Sequence, residues 1–151
     1  MKKKILCVCL GNTCRSPMIE ALLKRKFTQT GMNNVLVQSA GLLEVAKEKH
    51  SANPKSVETM KKMGVDITAH RSTWIGDLDL SEFFLILTVG ESEASQIRGM
   101  LNSSNAQICI VGGKRSTPNP WQKDQGVYDK TGEAVFTWIE QEADKICKMV
   151  G

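Results

Sequence analysis

No apolar run in this 151-residue chain approaches the ~20 residues that a helical membrane span needs. The basic start, Met1-Lys2-Lys3-Lys4, leads into an apolar stretch of only Ile5 to Leu10, too short for the core of a signal peptide. A cytoplasmic protein without a membrane partner is therefore expected. Neither sign of charge is in large excess. Twenty basic and 16 acidic residues leave a net charge of +4, spread along the chain without the stripe that marks nucleic-acid binding. No nucleic-acid partner is expected, and the mild excess suits an anionic substrate. Histidine is scarce, with two residues, both far from the clustered cysteines. The five cysteines are odd in number and three lie near the N-terminus, so a disulfide framework is not expected. Hydrophobic content of 41 % and charged content of 24 % exclude wholesale disorder and fibrous repeats. With no internal repeat or linker, one domain over 1–151 is expected.

Strand and helix signals alternate along the chain. Lys4–Cys9 is a nearly continuous apolar run, as in a strand buried on both faces of a parallel sheet. Turn formers follow, and then Pro17 in a position to open a helix whose apolar stripe is Met18, Ile19, Leu22, Leu23 and Phe27, with Gly31 as its stop. Asn34–Ser39 reads as a second strand closed by Ala40-Gly41, and Pro54 to Met63 as a second helix stopped by Gly64. Val65 to Ser72 reads as irregular, Phe83–Val89 as the strongest strand, Glu91–Leu101 as a helix and Gln107–Val111 as a fourth strand. A long loop, Gly112 to Gly126, holds two of the four prolines; a last helix runs from about Thr131 to Met149, with Val135, Trp138, Ile139, Ala143 and Ile146 on its inner face. The pattern predicts a single three-layer α/β domain, a four-stranded parallel sheet flanked by helices. Ligands of such sheets gather beyond the carboxyl ends of the strands, and the first of these ends is Cys9.

The segment Cys9-Leu10-Gly11-Asn12-Thr13-Cys14-Arg15-Ser16 sits at that end and opens into a helix. Backbone amides between Cys9 and Arg15 can turn inward as a nest, to which the helix adds its positive end. Gly11 allows close backbone approach, Asn12 tolerates a left-handed conformation, and Arg15 offers a planar fork for two phosphate oxygens. Under that field a thiol at the strand end is expected to be held as thiolate, a nucleophile below a cradled oxyanion. Singly, Cys9 reads as core, Ser16 as a helix cap and Arg15 as surface charge; their ordered combination does not. A nucleotide-binding phosphate loop is excluded, since no Gly-Lys-Ser/Thr follows at the required spacing. Zinc is excluded because Cys7-x-Cys9 inside a strand is poor ligand spacing. No metal and no cofactor are expected.

Val8-Cys9-Leu10-Gly11-Asn12-Thr13-Cys14-Arg15-Ser16-Pro17 resembles the signature of the low-molecular-weight protein tyrosine phosphatases, and the resemblance runs over essentially the whole chain. Ser39-Ala40-Gly41, His70-Arg71-Ser72 and Pro118-Asn119-Pro120-Trp121 match later segments of that family in order and spacing. The resemblance implies a cysteine-dependent phosphatase for phosphorylated protein or peptide, with phosphotyrosine favoured and inorganic phosphate as product. It implies Cys9 as nucleophile and residues 10–16 (Leu10, Gly11, Asn12, Thr13, Cys14, Arg15 and Ser16) as the phosphate-binding loop, with Arg15 on the transition state. It further implies that Asn12, Ser16, Ser39 and His70 form a supporting network, and that Cys14 can trap oxidised Cys9 as a disulfide. Thr13, Leu43 and Trp121 are expected to wall the substrate pocket. Cys7, Cys109 and Cys147 are expected in packing.

Two positions depart from the family. Its general acid is an aspartate where this chain has Asn119, and Gly90 stands where an acidic residue is usual. An amide cannot act as a proton donor, a function typically worth ~10²- to 10⁴-fold in rate. A specialised slow enzyme, an introduced trapping change and a substitute acid, with Asp124 and Asp129 as nearby carboxylates, remain open. Thr13 resembles the arginine-phosphate phosphatases, and Leu42 and Leu43 weaken an aromatic sandwich for a phenyl ring. A phospho-residue trap and a thiol-dependent arsenate reductase complete the alternatives. The reductase is demoted because Glu91 to Asn105 holds no cysteine.

Overall fold

The computed structural model describes residues 2–102 and 104–151. Side chains of the first apolar run alternate between two cores: Ile5, Cys7 and Cys9 enter one, Leu6 and Val8 the other. This run is β1 (Lys3–Cys9), an inner strand of a parallel sheet ordered β2-β1-β3-β4, with β2 at Val35–Gly41, β3 at Leu85–Thr88 and β4 at Gln107–Ile110. Helices α1 (Arg15–Gln29), α2 (Pro54–Lys62) and α4 (Gln125–Val150) pack Met18, Leu22, Met60, Val135 and Ile139 onto one face. On the other face lie Ile97 of α3 (Glu91–Met100) and Ile75 of a short 3-10 turn, Ile75–Asp77. The expected three-layer α/β fold is thus present, with every strand except the edges buried on both sides. Among the described residues no helix is long and apolar enough to cross a membrane.

Several element boundaries differ from expectation, each for a local reason. α1 starts at Arg15, with Pro17 inside its first turn, where the missing N–H costs nothing. β3 is shorter than Phe83–Val89: the Phe83 amide closes a 3-10 turn onto Leu80, and the Val89 carbonyl is taken by the Thr117 amide. α4 starts six residues earlier than expected, because Asp124 caps it by accepting from the Val127 amide at 3.0 Å. Gly132 lies inside α4, where any Cβ would collide with Thr59 of α2, so the helices meet there at close range. Trp138 packs half-buried against the first core rather than within it.

β1 and β2 pair Cys9 with Gly41, and β1 and β3 pair Val8 with Thr88, so the carboxyl ends of three strands are level. A Cβ on Gly41 would stand 2.7 Å from the Leu10 carbonyl oxygen. The loop after β1 can lean on the end of β2 because that residue is glycine.

Candidate active site

Once β1 ends at Cys9, the loop carbonyls turn outward onto the rest of the protein. Cys9 accepts from the Leu42 amide (3.0 Å), Leu10 from the Leu43 amide (2.9 Å) and Thr13 from the Asn53 amide (2.8 Å). The Cys14 carbonyl accepts from Ser56 Oγ (3.1 Å), and that of Asn12 from His70 Nε2 (2.7 Å). A carbonyl only accepts, so the His70 proton sits on Nε2. With the carbonyls held outside, the amides of residues 11–14 have no acceptor among the described residues. They face inward with the first turn of α1, whose cap residue Cys14 makes no side-chain capping bond. That concave row of amide donors is suited to an anion.

Asn12 holds the loop's shape from within. It is fully buried, adopts φ 60°, and makes three side-chain hydrogen bonds. Its Nδ2 donates to Ser16 Oγ (2.7 Å) and Ser39 Oγ (3.0 Å), while its Oδ1 accepts from the Thr73 amide (2.8 Å). Ser39 Oγ in turn donates to the Glu20 carboxylate at 2.5 Å, which Lys24 also pairs. Direction propagates along this chain. The carboxylate takes the Ser39 proton, Asn12 supplies protons to both serines, and the Ser16 hydroxyl is left to donate to Cys9 Sγ at 3.1 Å. The Ser16 amide adds a second donor to the same sulfur at 3.4 Å. Two donors therefore converge on the Cys9 sulfur. Asn12, Ser16, Ser39 and His70 are thus brought together, and Glu20, Thr73, Asn53 and Ser56, which sequence reasoning missed, complete the scaffold.

Arg15 is 4 % exposed. Its Nη1 donates to the Thr117 carbonyl at 2.8 Å, and Thr117 is itself tied to Val89 and Val111. The Nε–H is buried and finds no acceptor among the described residues. An unpaired buried donor on a cation costs upwards of ~1–3 kcal/mol, so this orientation is stabilised when an anion accepts from it. Cys14 Sγ lies 3.4 Å from Tyr128 Oη. Burial pushes the Cys14 thiol up, as it does the Tyr128 hydroxyl, which its contact with Cys14 raises further.

Cys9, Leu10, Gly11, Thr13, Cys14 and Arg15 line a cavity of about 770 Å³. Leu43, Val45, His50, Asn119 and Trp121 form part of its outer wall, and among the described residues Arg15 is the one lysine or arginine in its lining. Leu43, Val45 and Trp121 are among the large apolar side chains left exposed, Trp121 at 57 %. Leu42 is buried instead and faces a separate cavity with Trp74. Asn12 and Ser16 stand behind the lining, facing the network. Asn119 Oδ1 accepts from the Trp121 amide at 3.1 Å. Neither nearby carboxylate lines the cavity: Asp124 caps α4, and Asp129 is bound by Lys62, Thr59 and Gln125, which hold its carboxyl down to about 2. Gly90 begins α3 in extended backbone, and nothing in the structure assigns it a role at the cavity. Cys7 is in the core, while Cys109 and Cys147 pack against it.

The chain is similar to known proteins over most of its length. The family model for low molecular weight phosphotyrosine protein phosphatase matches residues 4–151. A low molecular weight protein-tyrosine-phosphatase, Ptp, of Acinetobacter johnsonii is 31 % identical over 140 residues, covering 91 % of this chain and 93 % of that one. An arsenate reductase of Staphylococcus aureus (strain bovine RF122 / ET3-1) is 33 % identical over 134 residues, covering 89 % and 94 %. The crystal structure of a low molecular weight protein tyrosine phosphatase from T. tengcongensis superposes with a TM-score of 0.84 at 29 % identity, covering 95 % of this chain and 99 % of that one.

Proposed function

The chain belongs to the low molecular weight phosphotyrosine protein phosphatase family, and from that premise we propose that it hydrolyses phosphorylated protein side chains, phosphotyrosine first, through a cysteinyl-phosphate on Cys9. The observation that carries the reading is one cavity in which Cys9 Sγ receives two donors from Ser16 while the buried Arg15 Nε–H stands unpaired. In this reading the phosphoryl oxygens take the inward amides of the loop and the Arg15 fork. Cys9 Sγ attacks phosphorus in line, the ester P–O bond breaks, and water then displaces phosphate from sulfur. The apolar rim of Leu43, Val45 and Trp121 supports a protein-borne phosphoryl group over a small polar ester. Residues 1–151 act as one catalytic domain.

Thr13 in the cavity lining favours one second reading, phosphoarginine, since its hydroxyl can bond a guanidinium and leaves more room than a branched aliphatic. Arsenate reduction, the activity named for the Staphylococcus relative, needs further thiols that supply two electrons to arsenic by way of the nucleophile and are left as a disulfide. Among the described residues only Cys14 shares the cavity with Cys9, which disfavours it. The test is phosphate release from matched phosphotyrosine, phosphoarginine and phosphoserine peptides, by the protein and by its Asn119→Asp variant. Turnover of one of the first two by the unaltered protein is expected and names the substrate class. Turnover by the aspartate variant alone converts the reading to a phospho-residue trap.

A further inference from the structure

Hydrolysis through Cys9 leaves the departing oxygen in need of a proton, and the side chain expected to supply it is an amide, Asn119. Asp124 and Asp129 are engaged elsewhere and do not line the cavity. Among the lining residues, Cys9 is the nucleophile, the Arg15 guanidinium is the anion's partner, and the Cys14 thiol is pushed up by burial beside Tyr128. His50 remains. Imidazole is the side chain whose charge changes between about pH 5 and 8, which makes it the effective proton carrier at neutral pH.

His50 is also held in place. Its backbone is clamped by Ser72, which accepts from the His50 amide at 2.8 Å through Oγ and donates its own amide to the His50 carbonyl at 2.7 Å. The adjoining Ser51 bridges to Arg71. The ring's Nε2 faces the Glu48 carboxylate at 2.9 Å, and since a carboxylate accepts, Nε2 is the donor. Nδ1 has no partner among the described residues and is the nitrogen free to pass on a proton.

We propose that His50 donates the leaving-group proton in this protein, in place of the carboxylic acid missing at position 119. As Cys9 Sγ bonds phosphorus and the ester P–O bond breaks, the Nδ1 proton moves to the departing oxygen, leaving neutral imidazole. In the second step that imidazole takes a proton from the attacking water as the P–S bond breaks. The imidazolium, inorganic phosphate and the Cys9 thiolate are restored, and no other reactant is consumed. This assignment rests on the cysteinyl-phosphate reading.

The test compares kcat/KM for phenyl phosphate, whose leaving group needs a proton, with that for p-nitrophenyl phosphate, whose leaving group departs unprotonated. His50→Gln is expected to lower the ratio of the two about 10²-fold. The double variant His50→Gln/Asn119→Asp, with an acid restored at the other wall position, is expected to recover it. An unchanged ratio in His50→Gln overturns the proposal and leaves the phosphatase reading standing, because turnover of p-nitrophenyl phosphate reports Cys9 chemistry by itself. A lowered ratio that the double variant fails to recover assigns the loss to distortion and overturns it equally. If the unaltered protein turns over neither ester, the phosphatase reading falls and the His50 assignment with it.

Discussion

Replacing Asn12 by alanine removes three hydrogen bonds at once and leaves a left-handed residue, φ 60°, without the side chain that tolerates it. Each lost bond is worth roughly 0.5–1.5 kcal/mol net, so the three together contribute about 3 kcal/mol. An alanine held in left-handed backbone adds about 1 kcal/mol of strain. The Asn12→Ala variant is therefore expected to lose about 4 kcal/mol, a large part of the ~5–15 kcal/mol available to a domain. At this chain length that corresponds to a fall in Tm of roughly 8–16 °C. Asn12→Gly loses the same bonds without the strain, so it is expected to retain about 1 kcal/mol more than the alanine variant. Urea unfolding of both proteins separates the two contributions. A loss under about 1 kcal/mol in the alanine variant, or a glycine variant less stable than it, would refute the claim that this side chain and its backbone hold the loop. Both variants release the Ser16 hydroxyl from its fixed direction, so kcat/KM is expected to fall by at least ~10-fold.

Cys9→Ser is expected to abolish phosphate release while a phosphopeptide still binds by calorimetry; retained turnover would move the nucleophile elsewhere. Arg15→Lys exchanges a fork for a point charge and leaves the Thr117 carbonyl without its donor, so kcat/KM is expected to drop at least ~10²-fold. Gly132→Ala drives a methyl group into Thr59, and thermal melts are expected to show about 1–3 kcal/mol of destabilisation. The Asp129 carboxyl, held down to about 2 by Lys62, Thr59 and Gln125, stabilises the fold above the ordinary aspartate value of ~4, and this contribution is lost as pH falls from ~4 towards 2. Melts of Asp129→Asn are accordingly expected to depend less on pH across that window than those of the unaltered protein. Mild peroxide is expected to join Cys9 to Cys14 as a disulfide detectable by mass spectrometry, and its absence would count against redox control by this loop.

Much of the fold was legible because burial on both faces leaves a direct mark: the runs at Ile5–Cys9 and Leu85–Thr88 cannot alternate with polar residues. The helices were legible from apolar spacing, but the start of α4 was not. The long-loop reading ran to Gly126, whereas the cap is an ordinary loop aspartate, and Gly132 inside the helix is a contact point with α2. Trp138 shares the periodicity of its buried neighbours, and only packing shows it at the margin of the core. At the site, Cys9, Asn12, Arg15 and Ser16 stand in one short loop, so their association needed no tertiary information. Glu20 and Thr73 gave no signal, since a surface-type carboxylate on α1 and a backbone amide near His70 look like many others.

The sequence by itself determined which residues share the junction between β1 and α1, a cysteine, an asparagine, an arginine and a serine, because they are contiguous. It determined the sheet as well, through runs that only two-sided burial explains. Tertiary structure decided what faces what. Outward carbonyl bonds to Leu42, Leu43, Asn53, Ser56 and His70 turn the loop amides inward. A carboxylate 11 positions after Cys9 sets the direction of the hydrogen bonds that end on its sulfur. His50, which has no partner in the loop's own sequence, comes to the cavity only because the segment after β2 folds back over it. Such long-range choices depend on geometry summed over many residues, and no single stretch of chain encodes them.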